Sequence, residues 1–147
     1  MDNDILSKSV ECLQGENHSE EALAMLDSVI SRGDGARLIE EMTLKEQAAG
    51  DTQEDAVLHT MRRLESLAAH SPIIACSLMA YLLPLASRLR MHDIWDSIFL
   101  WIDTCDAKQM TDRLEAIAES QADADMRRHY EQLVRSRRSK RYDRGLP

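Results

Sequence analysis

Glycine, proline and aromatic residues are all scarce in this sequence. Its 147 residues include only 5 Gly, 3 Pro, 1 Phe, 2 Trp and 3 Tyr. A β-sandwich or β-barrel needs many tight turns and many β-branched or aromatic strand residues, so this composition excludes both. Hydrophobic residues nevertheless make up 44% of the chain, which is enough to form a buried core and argues against disorder. We therefore predict one all-α domain.

Cysteine is also rare, and Cys12, Cys76 and Cys105 lie far apart without a CxxC motif. This spacing predicts free thiols in a reducing compartment. The first four residues include two aspartates, and neither the basic start nor the apolar stretch of a secretory signal is present in this segment of the sequence. We therefore expect a cytoplasmic protein.

One stretch, residues 66–87, has no charged side chain and is long enough to cross a bilayer. Ser71 followed by Pro72 is typical of an N-cap and a first helical position, which divides the run in two. We therefore predict a buried core helix near residues 72–90 and no membrane span. Its apolar residues cover all sides of the helix, which indicates a central position, and Pro84 within it is expected to kink it.

Capping residues and glycines divide the whole sequence into segments with helical periodicity. Serine, threonine and aspartate favour the N-cap because their side chains accept hydrogen bonds from free amides of the first turn. The pattern predicts a single globular bundle of about seven or eight antiparallel helices. The four helices predicted between Thr52 and Ser120, the fourth to the seventh of the chain, also suit two hairpins stacked as in HEAT-like repeats, an alternative that their lengths leave open. The predicted N-caps are Ser19, Asp34, Thr52, Ser71, Asp93 and Asp106.

No motif of a common enzyme class is present, since the sequence has no GxxxxGKS/T, GxGxxG, HExxH or GxSxG. His92 and Asp96 stand four residues apart on a predicted helix, with Asp93 and Asp103 available to complete a metal site. A cap and a solvated helix face explain these carboxylates more simply. Cys76, in the most apolar helix, is expected to be a protonated and inert thiol. We predict a non-catalytic protein without a cofactor or a metal.

Charge is distributed unevenly along the chain, whose formal net charge is -8. Residues 1–60 carry −10, residues 61–125 carry −4 and residues 126–147 carry +6. We predict a helical domain over residues 1–135 and a basic, frayed tail over residues 136–147. The basic tail has three possible interpretations. It is a fraying helix C-terminus, where the helix dipole favours basic residues. Alternatively, it docks on the acidic half of the chain or on a protein partner, or it binds nucleic acid. Its candidate contact residues are Arg135, Arg137, Arg138, Lys140 and Arg141.

An acidic helical protein is suited to bind a basic partner, because charge accelerates and orients association. Our leading hypothesis is an acidic inhibitor of the immunity type, or a chaperone-type partner, of a basic protein such as a nuclease toxin. The alternative is an assembly or adaptor subunit, of a secretion system or a helical-repeat scaffold, that uses Leu44 and Leu100 outside the core. A nucleic-acid-binding regulator acting through the tail is third, because most of the chain repels phosphate. The candidate partner-binding residues are Glu40, Glu41, Glu46, Asp51, Glu54, Asp55 and Leu100.

Overall fold

The computed structural model describes the backbone of residues 2–145 and the side chains of residues 4–140. Within that part of the chain there are eight α-helices and no β-strand. They pack around one hydrophobic core as a single globular bundle, which confirms the predicted all-α fold. The helices are α1 (Asp2–Gln14), α2 (Glu20–Ser31), α3 (Gly35–Ala48), α4 (Gln53–Ala68), α5 (Pro72–Arg88), α6 (His92–Thr104), α7 (Gln109–Ser120) and α8 (Ala124–Gly145).

Three of the predicted N-caps are confirmed. The hydroxyl groups of Ser19, Thr52 and Ser71 each accept a hydrogen bond from the amide three residues later, at 3.2, 3.1 and 3.4 Å. Each bond satisfies an amide that has no partner within its own helix. Pro72 follows Ser71 at the first helical position, where its missing N–H is not needed. The charge-free run is therefore divided between α4 and α5. Among the described residues, no helix combines the length and the apolar character that crossing a membrane requires.

Asp34 occupies the predicted N-cap position of α3, but its carboxylate accepts a hydrogen bond from Arg32 at 3.3 Å and none from a helix amide. The predicted caps Asp93 and Asp106 are wrong. Asp93 lies inside α6, which begins one residue before it. α7 begins three residues after Asp106. Capping propensity is local, and for α6 and α7 other contacts decide where the helix starts.

The turn between α5 and α6 shows such a contact. Arg90 adopts a left-handed conformation with φ 56°. The amide of Arg90 donates a hydrogen bond to the carbonyl of Ser87 at 3.1 Å, and the amide of Met91 donates one to the carbonyl of Ala86 at 2.9 Å. This is the Schellman motif, which ends a helix by satisfying its last carbonyl groups. The carbonyl of Met91 also accepts a hydrogen bond from the amide of Trp95 at 3.0 Å, so the residue that ends the motif of α5 is also the N-cap of α6.

α5 occupies the centre of the bundle, as predicted. Ten of its 17 residues are buried, and it packs against α2, α3, α4, α6 and α7. α4 packs closely against α5, as one of the two predicted hairpins requires. Within the described residues, α6 and α7 make little contact with each other and pack against α5 and α8 instead, so the second hairpin of a HEAT-like stack is absent. The helices surround α5.

Pro84 lies inside α5 and leaves one carbonyl group of this helix without a hydrogen-bond donor. Because proline has no amide hydrogen, the carbonyl of Ala80 lacks its usual helical donor. The hydroxyl of Tyr130, in α8, donates to this carbonyl at 2.6 Å, and Tyr130 is fully buried. Burial raises the pKa of Tyr130, so the hydroxyl keeps its proton. α8 thereby completes the hydrogen bonding of the central helix.

We expect Tyr130→Phe to lower the free energy of unfolding by about 1–3 kcal/mol, because it leaves the buried carbonyl of Ala80 without a donor. Tyr81→Phe is the matched control, since the Tyr81 hydroxyl makes no hydrogen bond within the described part of the chain, and its cost is expected below about 0.5 kcal/mol. Urea denaturation followed by circular dichroism measures both. Equal losses in the two variants would contradict the role assigned to Tyr130.

The C-terminal segment differs from its prediction. α8 extends ten residues past position 135, so the expected domain boundary falls inside a helix. Arg137, expected in a frayed tail, is only 5% exposed. Its guanidinium donates to the carbonyl groups of Ile102 and Cys105 at 2.5 and 2.6 Å. It also donates to the carbonyl of Ala107 at 3.2 Å and to the hydroxyl of Thr111 at 3.0 Å. These contacts place a cation at the end of α6, where the helix dipole favours one.

Two further basic residues of this segment pair with carboxylates. Arg138 pairs with Glu115 of α7, and Lys140 pairs with Asp103 of α6. Burial opposes the ionisation of Asp103, but hydrogen bonds from Lys140 and Ser136 outweigh it and lower its pKa. Up to residue 140, the basic segment is therefore docked on α6 and α7, not on the acidic residues 1–60.

We expect Arg137→Ala to lower the free energy of unfolding by about 3 kcal/mol or more, because several buried acceptors lose a charged donor together. Arg138→Ala removes one charge from a largely exposed ion pair, so its expected cost is about 0–1 kcal/mol. Chemical denaturation of both variants and the parent measures the difference. An Arg137→Ala protein as stable as Arg138→Ala would show that the guanidinium is dispensable to the fold.

Candidate functional site

The acidic residues predicted to bind a partner lie on α3, on the turn after it and at the start of α4. Four of them are exposed: Glu40 and Glu41 on α3, and Glu54 and Asp55 in the first turn of α4. No ion pair within the described residues involves any of the four. Their charges are therefore directed to solvent. We call these four residues the acidic surface.

Glu46 does not belong to this surface, although it was expected there. It is only 7% exposed and accepts a hydrogen bond from Nε of Arg63 at 3.1 Å. Arg63 also donates to the carbonyl of Gln14 at 2.5 Å. The ion pair therefore joins α3 to α4 and to the end of α1, and Glu46 is not available to a partner.

Asp51 is also engaged internally, because its carboxylate is hydrogen-bonded to Nδ1 of His59 at 2.7 Å. The ligand atoms of Glu46, Asp51 and His59 all lie within 4.8 Å of one another, a spacing that suits a metal ion. However, the Arg63 guanidinium beside Glu46 opposes a second cation, and both carboxylates already have partners. We therefore interpret this cluster as an intramolecular ion-pair network.

The other metal hypothesis concerned α6. His92, Asp93 and Asp96 are exposed. Asp103 instead accepts hydrogen bonds from Ser136 and Lys140 of α8. This carboxylate is therefore committed to helix packing, and the remaining three groups form a solvated face.

Leu44 combines exposure with apolar character next to the acidic surface. It is 49% exposed and follows Glu40 and Glu41 by about one helical turn on α3. Two grooves, of about 540 and 480 Å³, share Leu44 as a wall; Glu41 lines the first groove and Glu40 lines the second. Tyr81 and Leu85 of α5 contribute apolar surface to the second groove. An apolar centre with a polar rim is typical of protein interfaces.

The interiors of the two grooves are of mixed charge. Arg37 and Lys45 line the first groove, and Arg88 lines the second. The excess of negative charge therefore belongs to the outer face of α3 and to the start of α4. A partner docked here meets carboxylates first and polar groups of both signs within the grooves, which favours one orientation over others.

Leu100 is the other large exposed hydrophobic residue of the described part, at 65%. It lies on α6, which packs against α5 and α8, whereas α3 packs against α1, α2, α4 and α5. The neighbouring Trp101 is half-buried, and its indole nitrogen donates to Glu65 of α4 at 3.2 Å. Leu100 and the acidic surface are therefore two separate candidate contact regions.

The predicted contacts of the basic segment are mostly occupied within the protein. A groove of about 520 Å³ between α7 and α8 is lined by three arginines and three glutamates. This alternation differs from the continuous positive surface that a phosphate backbone favours. Of the candidates, Arg135 is exposed, Arg137 is buried, Arg138 and Lys140 are ion-paired, and the side chain of Arg141 lies outside the described residues.

Sequence reasoning missed the contacts of two cysteines. The three cysteines are free thiols, as predicted. The thiol of Cys76, in α5, donates to the carbonyl of Trp101 in α6 at 3.5 Å. Cys105, at the end of α6, lines a cavity of about 180 Å³ with Arg137 and Lys140. Only the packing of α6 against α5 and α8 creates these contacts, so no local motif could have indicated them.

Comparisons with known proteins assign this chain to no family. No protein-family model, no curated protein and no solved structure matches this chain. The function is therefore inferred from the chemistry of the protein's own surface.

Proposed function

We propose that this protein is a non-catalytic protein-binding protein whose acidic surface docks on a basic protein, as an inhibitor or a chaperone-type partner does. The observation that carries the proposal is exposed Leu44, which lines one groove with Glu40 and another with Glu41, on a surface whose four exposed carboxylates form no ion pair within the described residues. Charges accelerate and orient the encounter, and apolar contact area keeps the complex together afterwards. A surface that combines exposed carboxylates with an exposed leucine can therefore both attract a basic partner and hold it.

Charge complementarity indicates the kind of partner. Residues 1–60 carry −10 in total. Within the described residues, Glu46 and Asp51 are the members of the predicted cluster whose carboxylates contact an internal Arg or His side chain. A protein that offers a positively charged cleft, such as one that holds phosphate groups, is complementary to the carboxylates that remain. A nuclease is the example that fits this description best.

The alternative function is that of an assembly or adaptor subunit, and the exposure of Leu100 favours it. It ranks second because one exposed leucine is ordinary on a protein surface and does not make a patch. Nucleic-acid binding through the basic segment ranks third. Glu115 and Asp103 already offset Arg138 and Lys140, which lowers the positive charge that the segment offers to phosphate.

Charge reversal tests the acidic surface. Replacing Glu40, Glu41, Glu54 and Asp55 with lysine should slow association with a basic partner by about ten-fold or more at low salt. The difference should shrink at high salt, because the Debye length falls to about 3 Å at 1 M. The partner is first captured from a lysate of the source cells with the parent protein as bait, and stopped-flow mixing then measures the association rate.

The matched control reverses four exposed carboxylates elsewhere. The control variant therefore has the same net charge as the test variant. Two of its positions, Asp93 and Asp112, lie in the first turn of a helix, as Glu54 and Asp55 do, so both variants weaken two helix N-termini to a similar degree. The control should keep most of the association rate. Equal rates for the test variant and the parent at low salt would contradict steering by the acidic surface. The control positions are Asp93, Asp112, Glu119 and Glu131.

Single apolar replacements separate the proposal from the adaptor alternative. Leu44→Ser should raise the Kd of the captured complex about ten-fold, mainly through faster dissociation. Leu100→Ser should leave the Kd unchanged. Both residues are exposed, so neither variant should lose its fold. Surface plasmon resonance gives both rate constants, and a loss confined to Leu100→Ser would replace the proposal with the adaptor function.

A further inference from the structure

Two histidines that are distant in the sequence have their rings in contact. The ring centres of His18 and His70 are 4.2 Å apart, and the ring planes are inclined by 37°. His18 lies in the loop between α1 and α2 and is half-buried, whereas His70 lies in the turn between α4 and α5 and is exposed. The ring contact therefore joins two separate connections of the bundle at a place that solvent reaches.

The ring nitrogens of this pair are not used elsewhere. Within the described residues, neither ring takes part in a hydrogen bond or an ion pair. His59, by contrast, is hydrogen-bonded to Asp51 at 2.7 Å. A neutral imidazole has one nitrogen with a free lone pair, and that atom is the one that binds a metal ion. His18 and His70 therefore each offer a lone pair to a ligand from outside.

Helix caps fix the backbone beside both histidines. His18 precedes Ser19, the N-cap of α2, and His70 precedes Ser71, the N-cap of α5. The amides of His70 and Ser71 both donate to the carbonyl of Leu67 at 2.9 Å. α2 also packs against α5, which holds the two caps in place relative to each other. Little backbone entropy is therefore lost when the two side chains bind one ligand.

The separation of the rings is close to that of two imidazoles on one metal ion. Zn²⁺ binds imidazole nitrogen at about 2.0–2.1 Å with tetrahedral angles, which puts the two ring centres about 5 Å apart. The observed 4.2 Å is within about 1 Å of this value, a change that rotation about the side-chain bonds supplies. No movement of a helix is required.

The charges near the pair favour a cation. Glu20 and Glu21 lie in the first turn of α2, two and three residues after His18. Neither forms an ion pair within the part of the chain that the structure describes. Arg63 contacts the end of α1, but Glu46 neutralises it. The free carboxylates therefore offset the positive ends of the helix dipoles of α2 and α5.

We propose that His18 and His70 together bind one divalent transition-metal ion of the Zn²⁺ type through one nitrogen of each ring. Imidazole suits Zn²⁺, Ni²⁺ and Cu²⁺, whereas Mg²⁺ and Ca²⁺ prefer oxygen ligands. Water completes the coordination, and the ion links the α1–α2 loop to the α4–α5 turn. The site is independent of the proposed partner surface, because neither histidine lies on α3 or in the first turn of α4.

The test uses the full chain without an affinity tag and Zn²⁺ as the probe. Isothermal titration calorimetry should give one ion per chain. His18→Ala and His70→Ala should each weaken binding about ten-fold or more, because a single imidazole loses the advantage of chelation. His92→Ala is the matched control, since it removes an exposed histidine outside the pair and should bind Zn²⁺ as the parent does. Absence of binding by the parent, or equal affinities of His70→Ala and the parent, would overturn the proposal.

A second measurement locates the ion. The chain has five histidines, whose ring nitrogens give separate nuclear magnetic resonance signals. Zn²⁺ should shift the ring signals of His18 and His70 and leave those of His59, His92 and His129 unchanged. Shifts confined to His59 would place the ion at the carboxylate cluster of that residue instead and would overturn the proposal. Circular dichroism checks that each variant is folded.

Discussion

The buried guanidinium of Arg137 is the interaction on which the C-terminal half of the bundle depends. A charged group leaves water at acceptable cost only if its donors find acceptors, and this one finds them in carbonyl groups at the end of α6 and before α7. One side chain thereby ends α6, shapes the segment that leads into α7 and anchors α8. Because carbonyl groups bear only partial charges, the field of the cation is not cancelled and acts on both Asp103 and Cys105.

The parts of the fold that could be predicted from the sequence depend on residues within about one helical turn. The caps at Ser19, Thr52 and Ser71 are of this kind, and the central position of α5 follows from its lack of a polar face. Arg137 could not be predicted, since its place in a basic run is typical of a solvated helix end and its acceptors lie 26 to 35 residues away. Pro84 likewise indicated a disturbed helix but not the distant hydroxyl that compensates for it.

Some features of the candidate site could also be predicted from the sequence, and others could not. Leu44 and Leu100 were predicted to lie outside the core, and both are exposed. The distribution of charge along the sequence located the acidic region, but it does not distinguish carboxylates that face solvent from carboxylates that are paired inside the protein. Whether a carboxylate faces solvent depends on cations that other helices supply, which is why Glu46 is internal. The hydrogen bond of Cys76 was missed because it crosses between α5 and α6, whose packing no single segment encodes.

The hydrogen bond between Tyr130 and Ala80 also bears on how the chain folds while it is being made. The two residues are 50 positions apart, so α5 leaves the ribosome well before α8 is synthesised. Chains emerge at about 5–20 residues per second, with the N-terminal part first. Until α8 arrives, the carbonyl that Pro84 leaves free lacks the donor that Tyr130 supplies. The hydrogen bonding of the central helix therefore depends on a helix that is translated after it.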